Sequence, residues 1–186
     1  RALLRGSPLL TIRTYLTPMD VADTPDIFEA IEESRDYLYP WLPWVPFNAD
    51  VPSSERFAEA CADDWDMGRA MRFVIRERGS NRFLGVTGLE RCSHLNRSCE
   101  LGYWLRRDVQ GKGLMTEACS LVLKVAFDHL NVHRIRVAAA TNNHKSLAVI
   151  RRLGFRFEGI EREAEFCAGR WLDHACFGML DTDLRK

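Results

Sequence analysis

The sequence predicts an α/β protein of the α+β type, a mixed sheet flanked by helices. Two observations carry that expectation. Apolar residues alternate with period two in some segments and recur at three- and four-residue spacing in others, and the two kinds interleave along the chain. Caps and turn residues stand between them, so the elements are short and punctuated. At 186 residues the chain is most economically a single domain, residues 1–186. A chain of that size buries roughly 70% of its unfolded surface.

The elements follow in order. "LLTIRTYL" (9–16) alternates like a strand, and "MDVADTPDIFEAIEES" (19–34) reads as a helix with Ile27, Ala30 and Ile31 on one face. "RDYLYPWLPWVPFNADVP" (35–52) is too rich in Pro for a long helix and predicts a short helix with a covering loop. "SSERFAEACADDWDMG" (53–68) predicts a helix opening at Ser and closing at Gly. "MRFVIRE" (71–77), a turn at Gly79, Ser80 and Asn81, and "RFLGVTGLE" (82–90) form a hairpin, and "SCELGYWLR" (98–106) adds a third strand. A long amphipathic helix follows, with Leu114, Ala118, Leu121, Val122, Val125 and Ala126 at helical spacing. "HRIRVAAA" (133–140) is a strand. "NNHKSLAVIRRLGF" (142–155) is a helix started by Asn and stopped by Gly154. Two strands joined around Gly169 finish the chain.

Composition narrows the function classes. Lys plus Arg and Asp plus Glu are both 26, so no net field draws the chain to nucleic acid or an anionic membrane. No apolar run reaches the ~18 residues of a membrane span, and "RALLRGSPLL" lacks a signal-peptide core. The chain opens on Arg rather than Met, which suggests trimming of a start or a tag. Six cysteines without a Cys-x-x-Cys pair suit reduced cytoplasmic thiols. No metal is expected, because Cys167, His174 and Cys176 are the nearest approach to a zinc cluster.

The chemistry-bearing stretch is "RRDVQGKGLMTEA" (106–118), a glycine turn between a strand and a helix. Such a turn converges backbone N–H groups on the positive end of a helix dipole and so suits an anion, although a tight turn that only starts a helix is the plainer reading. It is not a Walker A loop, because Arg106 stands where the first Gly belongs and Gly113 follows Lys112. It is not a dinucleotide fingerprint either, because Thr116 occupies the third Gly position and no acid ends the next strand.

A second signal, "TNNHKSLAVIRRLGFRFEG" (141–159), stands thirty residues on. With "CELGYWL", "VQGKGLMTEA" and "EREAEFCAGRWLDH", the chain resembles the GNAT superfamily of acyl-CoA N-acyltransferases. Within it the likeness is closest to the ribosomal-protein (serine/alanine) N-terminal acetyltransferases. The resemblance implies a mostly antiparallel central sheet with a splayed strand pair, acetyl-CoA as co-substrate, cytoplasmic localisation and a homodimer.

It also implies roles for residues. The strand at 100–106 would pair with pantetheine through Leu105. The backbone of Gln110, Gly111, Lys112, Gly113, Leu114 and Met115 would hold the pyrophosphate. Asp108 departs from the Gln/Arg that opens the family's motif, which leaves the backbone cradle intact. Asn143 is a helix cap and, by the resemblance, a pantetheine contact. Ser146 stands for the acid that protonates the leaving thiolate, since Ile150 occupies the position of the tyrosine used in much of the superfamily. Glu165 matches the base of the nearest relatives, and Glu100 is the second carboxylate able to deprotonate or orient the amine. Trp41 and Trp44, in the aromatic segment, would line the acceptor groove, although most of that segment is expected to cover the core. The expected acceptor is a protein N-terminus. A small amine, or a non-catalytic acyl-CoA-binding role, remains the alternative.

Overall fold

The computed structural model describes residues 6–183; residues 1–5, on which part of the expectation about a leader rests, lie outside the described residues. The strands are β1 (Leu9–Leu10), β2 (Thr14–Pro18), β3 (Met71–Glu77), β4 (Phe83–Ser93), β5 (Ser98–Leu105), β6 (Arg134–Ala140), β7 (Arg156–Cys167) and β8 (Arg170–Leu180). The α-helices are α1 (Thr24–Leu38), α2 (Val51–Met67), α3 (Leu114–His129) and α4 (His144–Arg152). All the strands join one sheet in the order β1-β2-β3-β4-β5-β6-β8-β7. Every neighbouring pair is antiparallel except β5 and β6. The mixed, mostly antiparallel sheet expected from sequence is therefore present.

Local chemistry moves several boundaries. The strand expected over 9–16 breaks at a turn in which the Thr11 N–H donates to the Thr14 carbonyl at 2.9 Å. The second helix begins at Val51, not at Ser53, because Asp50 caps it and accepts the Ser53 N–H at 2.8 Å. In 35–52 the first helix runs on to Leu38, and a single 3-10 turn at Val45–Phe47 replaces the separate short helix.

The two faces of the sheet bury different helices. Leu114, Ala118, Val122 and Val125 of α3, with Leu147 and Ile150 of α4, pack on one face against Phe73, Leu84, Leu101, Leu105, Ile135 and Phe177. Ile27, Ala30, Ile31 and Leu38 of α1 pack on the other against Val74, Phe83 and Val86. Alternation along each strand sends successive residues to opposite faces, which is why Phe73 and Val74 belong to different clusters. Among the described residues no helix is long and apolar enough to cross a membrane.

Ile135 is fully buried on β6 in the middle of the sheet. Truncation there leaves a cavity that neighbouring strands cannot collapse to fill. Ile135→Ala is expected to lower unfolding stability by about 2–5 kcal/mol, read by urea denaturation.

Candidate active site

The site is built on a fork. β5 pairs with β6 only through Ser98 with Arg134, Cys99 with Ile135 and Glu100 with Arg136. Beyond Glu100, β5 keeps company with β4 as far as Leu105 opposite Gly85, while β6 follows β8 as far as Ala140 opposite His174. The two strands thus part, and each turns backbone groups into the gap. The Arg106 N–H donates to the Leu84 carbonyl at 2.9 Å. Antiparallel alternation therefore directs the N–H and C=O of Leu105 away from β4 and into the gap. That carbonyl accepts from Gln110 Nε2 at 3.2 Å.

The glycine turn closes one end of the gap. Val109 is buried, while Gly111, Lys112 and Gly113 are exposed. Gly111 and Gly113 have φ of 74° and 78°, a left-handed conformation costly for residues with a Cβ. No side chain caps the start of α3, and uncapped first-turn N–H groups of a helix suit an anion. The Leu114 and Met115 side chains are buried in the core, which leaves only their backbone for a ligand. Lys145 Nζ sits 3.4 Å from Gln110 Oε1 and over the Tyr37 ring, adding positive charge at the same end.

Ion pairs clamp this turn. Glu117 accepts from the Thr11 hydroxyl, from the Arg13 N–H at 2.8 Å and from Arg13 Nε at 2.8 Å, and Arg13 Nη1 donates to the Lys112 carbonyl at 2.8 Å. On the other side Arg106 is buried between Glu33 of α1 and Asp108, and Asp108 also pairs with Arg82. The Asp108 side chain is thus engaged with two arginines.

The candidate acid and bases lie on opposite faces of the fork. Asn143 caps α4, its Oδ1 accepting the Ser146 N–H at 3.2 Å. Ser146 Oγ lies 2.8 Å from the hydroxyl of Tyr103, which reaches across from the parted stretch of β5. Tyr103 shares its strand face with Leu101 and Leu105, the face that α3 and α4 cover. Glu100 belongs to the other face, at the branch point, 3.1 Å from Arg136 Nη1 and 3.5 Å from Arg91. Arg136 also pairs with Glu161 at 2.7 Å. Glu165, on β7 just past an irregularity in the ladder, lies 3.5 Å from His174 Nε2. His174 stands opposite Ala140, four residues up β6 from Arg136.

The tryptophans are half-buried on the carboxylate side. Trp41 packs with Ala140, Cys167 and Leu172 and carries the Arg170 guanidinium over its ring, while Trp44 packs against Trp104. Cys119 is fully buried beside Thr87 and Met115, and burial pushes its thiol up to about 12, which suits packing. No group of three or more His, Cys, Asp or Glu among the described residues is placed to hold a metal ion. Sequence reasoning missed Tyr103, Arg136, the contact of His174 with Glu165 and the Arg13–Glu117 clamp. Alternation in "ELGYWL" was the only signal for Tyr103, and nothing local announced the clamp.

Residues 13–156 match the acetyltransferase (GNAT) domain. YdaF of Bacillus subtilis (strain 168), a ribosomal N-acetyltransferase by provisional name, is 31% identical, with 89% of this chain and 90% of that protein covered. The [ribosomal protein uS5]-alanine N-acetyltransferase of Escherichia coli (strain K12) is 27% identical, with 81% and 79% covered. The structure of Mycobacterium smegmatis RimJ in complex with CoA-disulfide superimposes with a TM-score of 0.88 at 26% identity, covering 97% of this chain and 88% of that one. The chain belongs to the GNAT acetyltransferase family and is an N-acetyltransferase.

The Glu117 clamp has a pH signature. Burial pushes its carboxyl up, but the Thr11 hydroxyl and the N–H groups and charge of Arg13 outweigh that and hold it below the ordinary glutamate range. A depressed folded value contributes stability that is present above the unfolded pKa and lost as pH falls through the folded one. Glu117→Gln is expected to cost about 1–3 kcal/mol at pH 7. Its stability should also fall less steeply than the parent's between pH 5 and pH 3, read by denaturation at each pH.

Proposed function

We propose that this protein, working as one domain, transfers the acetyl group of acetyl-CoA to the α-amino group of a protein N-terminus. The observation that carries this reading is the fork itself, with an anion cradle at one end, a hydroxyl on one face and carboxylates on the other. Acetyl-CoA would lie in the gap with its pyrophosphate on the N–H groups of residues 110–115. Its pantetheine amides would add to the free edge of β5 at Leu105, as an added strand does. Asn143 would border the arm from the start of α4.

Three requirements define the chemistry. The amine must be neutral and aligned, the carbonyl polarised, and the departing thiolate supplied with a proton. An α-amino group has a pKa near 8, against ~10.4 for lysine, so a carboxylate acting through water suffices as base. Glu165 takes that role and Glu100 orients the amine. The nitrogen attacks the thioester carbon, the C–S bond breaks, and the amine proton passes through water to the carboxylate. The sulfur takes the Ser146 hydroxyl proton, and serine and carboxylate then re-equilibrate with solvent. Trp41 and Trp44 form the rigid wall of the acceptor groove, and the two relatives named for ribosomal substrates favour a protein acceptor.

Acetyl transfer is to be measured on peptides beginning Ser, Ala or Met beside a panel of small amines. Ser- and Ala-peptides are expected to turn over fastest, and Ser146→Ala and Glu165→Gln each to lower kcat/KM at least tenfold. Turnover confined to small amines would overturn the acceptor and leave the coenzyme site standing.

A further inference from the structure

Serine is a weak proton donor, and its hydroxyl must also point the right way. A hydroxyl carries one hydrogen and two acceptor lone pairs, and its rotor settles where its neighbours direct it. The neighbour of Ser146 Oγ is the Tyr103 hydroxyl at 2.8 Å. The Ser146 carbonyl lies farther from that phenol, at 3.2 Å, and belongs to the ladder of α4. The cap bond from Asn143 goes to the Ser146 backbone N–H, so it leaves the side-chain rotor unspecified.

We infer that Tyr103 is the positioning residue for the thiolate acid, its phenol donating to Ser146 Oγ so that the serine hydrogen is left for the coenzyme sulfur. The inference rests on the reading of Ser146 as that acid. Three further observations support it. Tyr103 stands on the parted stretch of β5, so its side chain crosses at the depth of the gap, and the ring is fixed by packing in the core under α3 and α4. Burial pushes its phenol well above the ordinary tyrosine range, against a smaller opposite effect of the Ser146 bond, so the proton stays on Tyr103. Cys119, the nearby thiol, is engaged with Thr87 and Met115 and does not compete.

The consequence falls on the transition state. As the C–S bond breaks, the sulfur draws the Ser146 proton and negative charge grows on Oγ. The phenol's hydrogen bond to that oxygen becomes charge-assisted and strengthens. Solvent returns a proton to Ser146 afterwards, and Tyr103 stays neutral throughout. An interaction that grows only on the way to the transition state appears in kcat and not in KM.

The test uses Tyr103→Phe, which keeps the ring and removes only the hydroxyl, with Ser146→Ala and the double variant. Steady-state kinetics are run on whichever acceptor of the combined panel turns over fastest, and the Kd for CoA is measured by calorimetry. Tyr103→Phe is expected to lower kcat about tenfold, with acetyl-CoA KM and CoA Kd within about twofold of the parent. The double variant should lose no more than Ser146→Ala alone, because both changes act through one hydroxyl. A Tyr103→Phe kcat within twofold of the parent, while Ser146→Ala is slow, overturns the inference and leaves the acid assignment intact. Losses that multiply in the double variant, or a CoA Kd weakened more than tenfold at unchanged kcat, overturn it in favour of a packing role. A normal kcat for Ser146→Ala removes the acid assignment and this inference together.

Discussion

The separation of β5 from β6 is the constraint on which the rest of the molecule depends. A parallel pair ordinarily continues for the length of its shorter strand. Here it stops at Glu100 and Arg136, and each strand follows its antiparallel neighbour. Antiparallel pairing is slightly more stable per residue, and two halves of a twisted sheet diverge once the bonds between them cease. The exposed strand edges would be a liability on an outer rim. Inside the sheet they form a gap between β5 and β6, with α3 and α4 packed on one face of the sheet and α1 on the other.

The gap separates two kinds of chemistry by face. Tyr103 and Ser146 meet beneath α3 and α4, while Glu100, Arg136, Glu165 and His174 lie on the side of α1 and the tryptophans. A thioester threaded between the strands would present its sulfur to one set and its carbonyl carbon to an amine held by the other. The carboxylates of Glu100 and Glu161 are balanced by an arginine, both pairing with Arg136.

The glycine turn could not hold its shape alone. Left-handed residues at Gly111 and Gly113 are tolerated sterically but are loosely specified. Arg13 and Glu117 fasten the turn from the first hairpin, and Arg106 with Glu33 fastens it from α1. These pairs lie outside the cradle and place its N–H groups without occupying them.

Much of this was legible in the chain. Period-two and helical spacing located the main strands and helices, apart from the break at Thr11–Arg13 and the 3-10 turn that replaces the short helix expected in 35–52, and "QGKG" with "NNHKS" marked the left-handed glycine turn and the α4 cap. Local patterns sufficed there because alternation, capping and positive φ are decided by a residue and its near neighbours. The Arg13–Glu117 clamp joins residues 104 positions apart, and Tyr103 meets Ser146 across 43. Sequence by itself determined the elements and the family. Only the tertiary structure decided which hydroxyl faces which, because the parting of β5 and β6 is set by competition among neighbouring strands, and no single segment records its outcome.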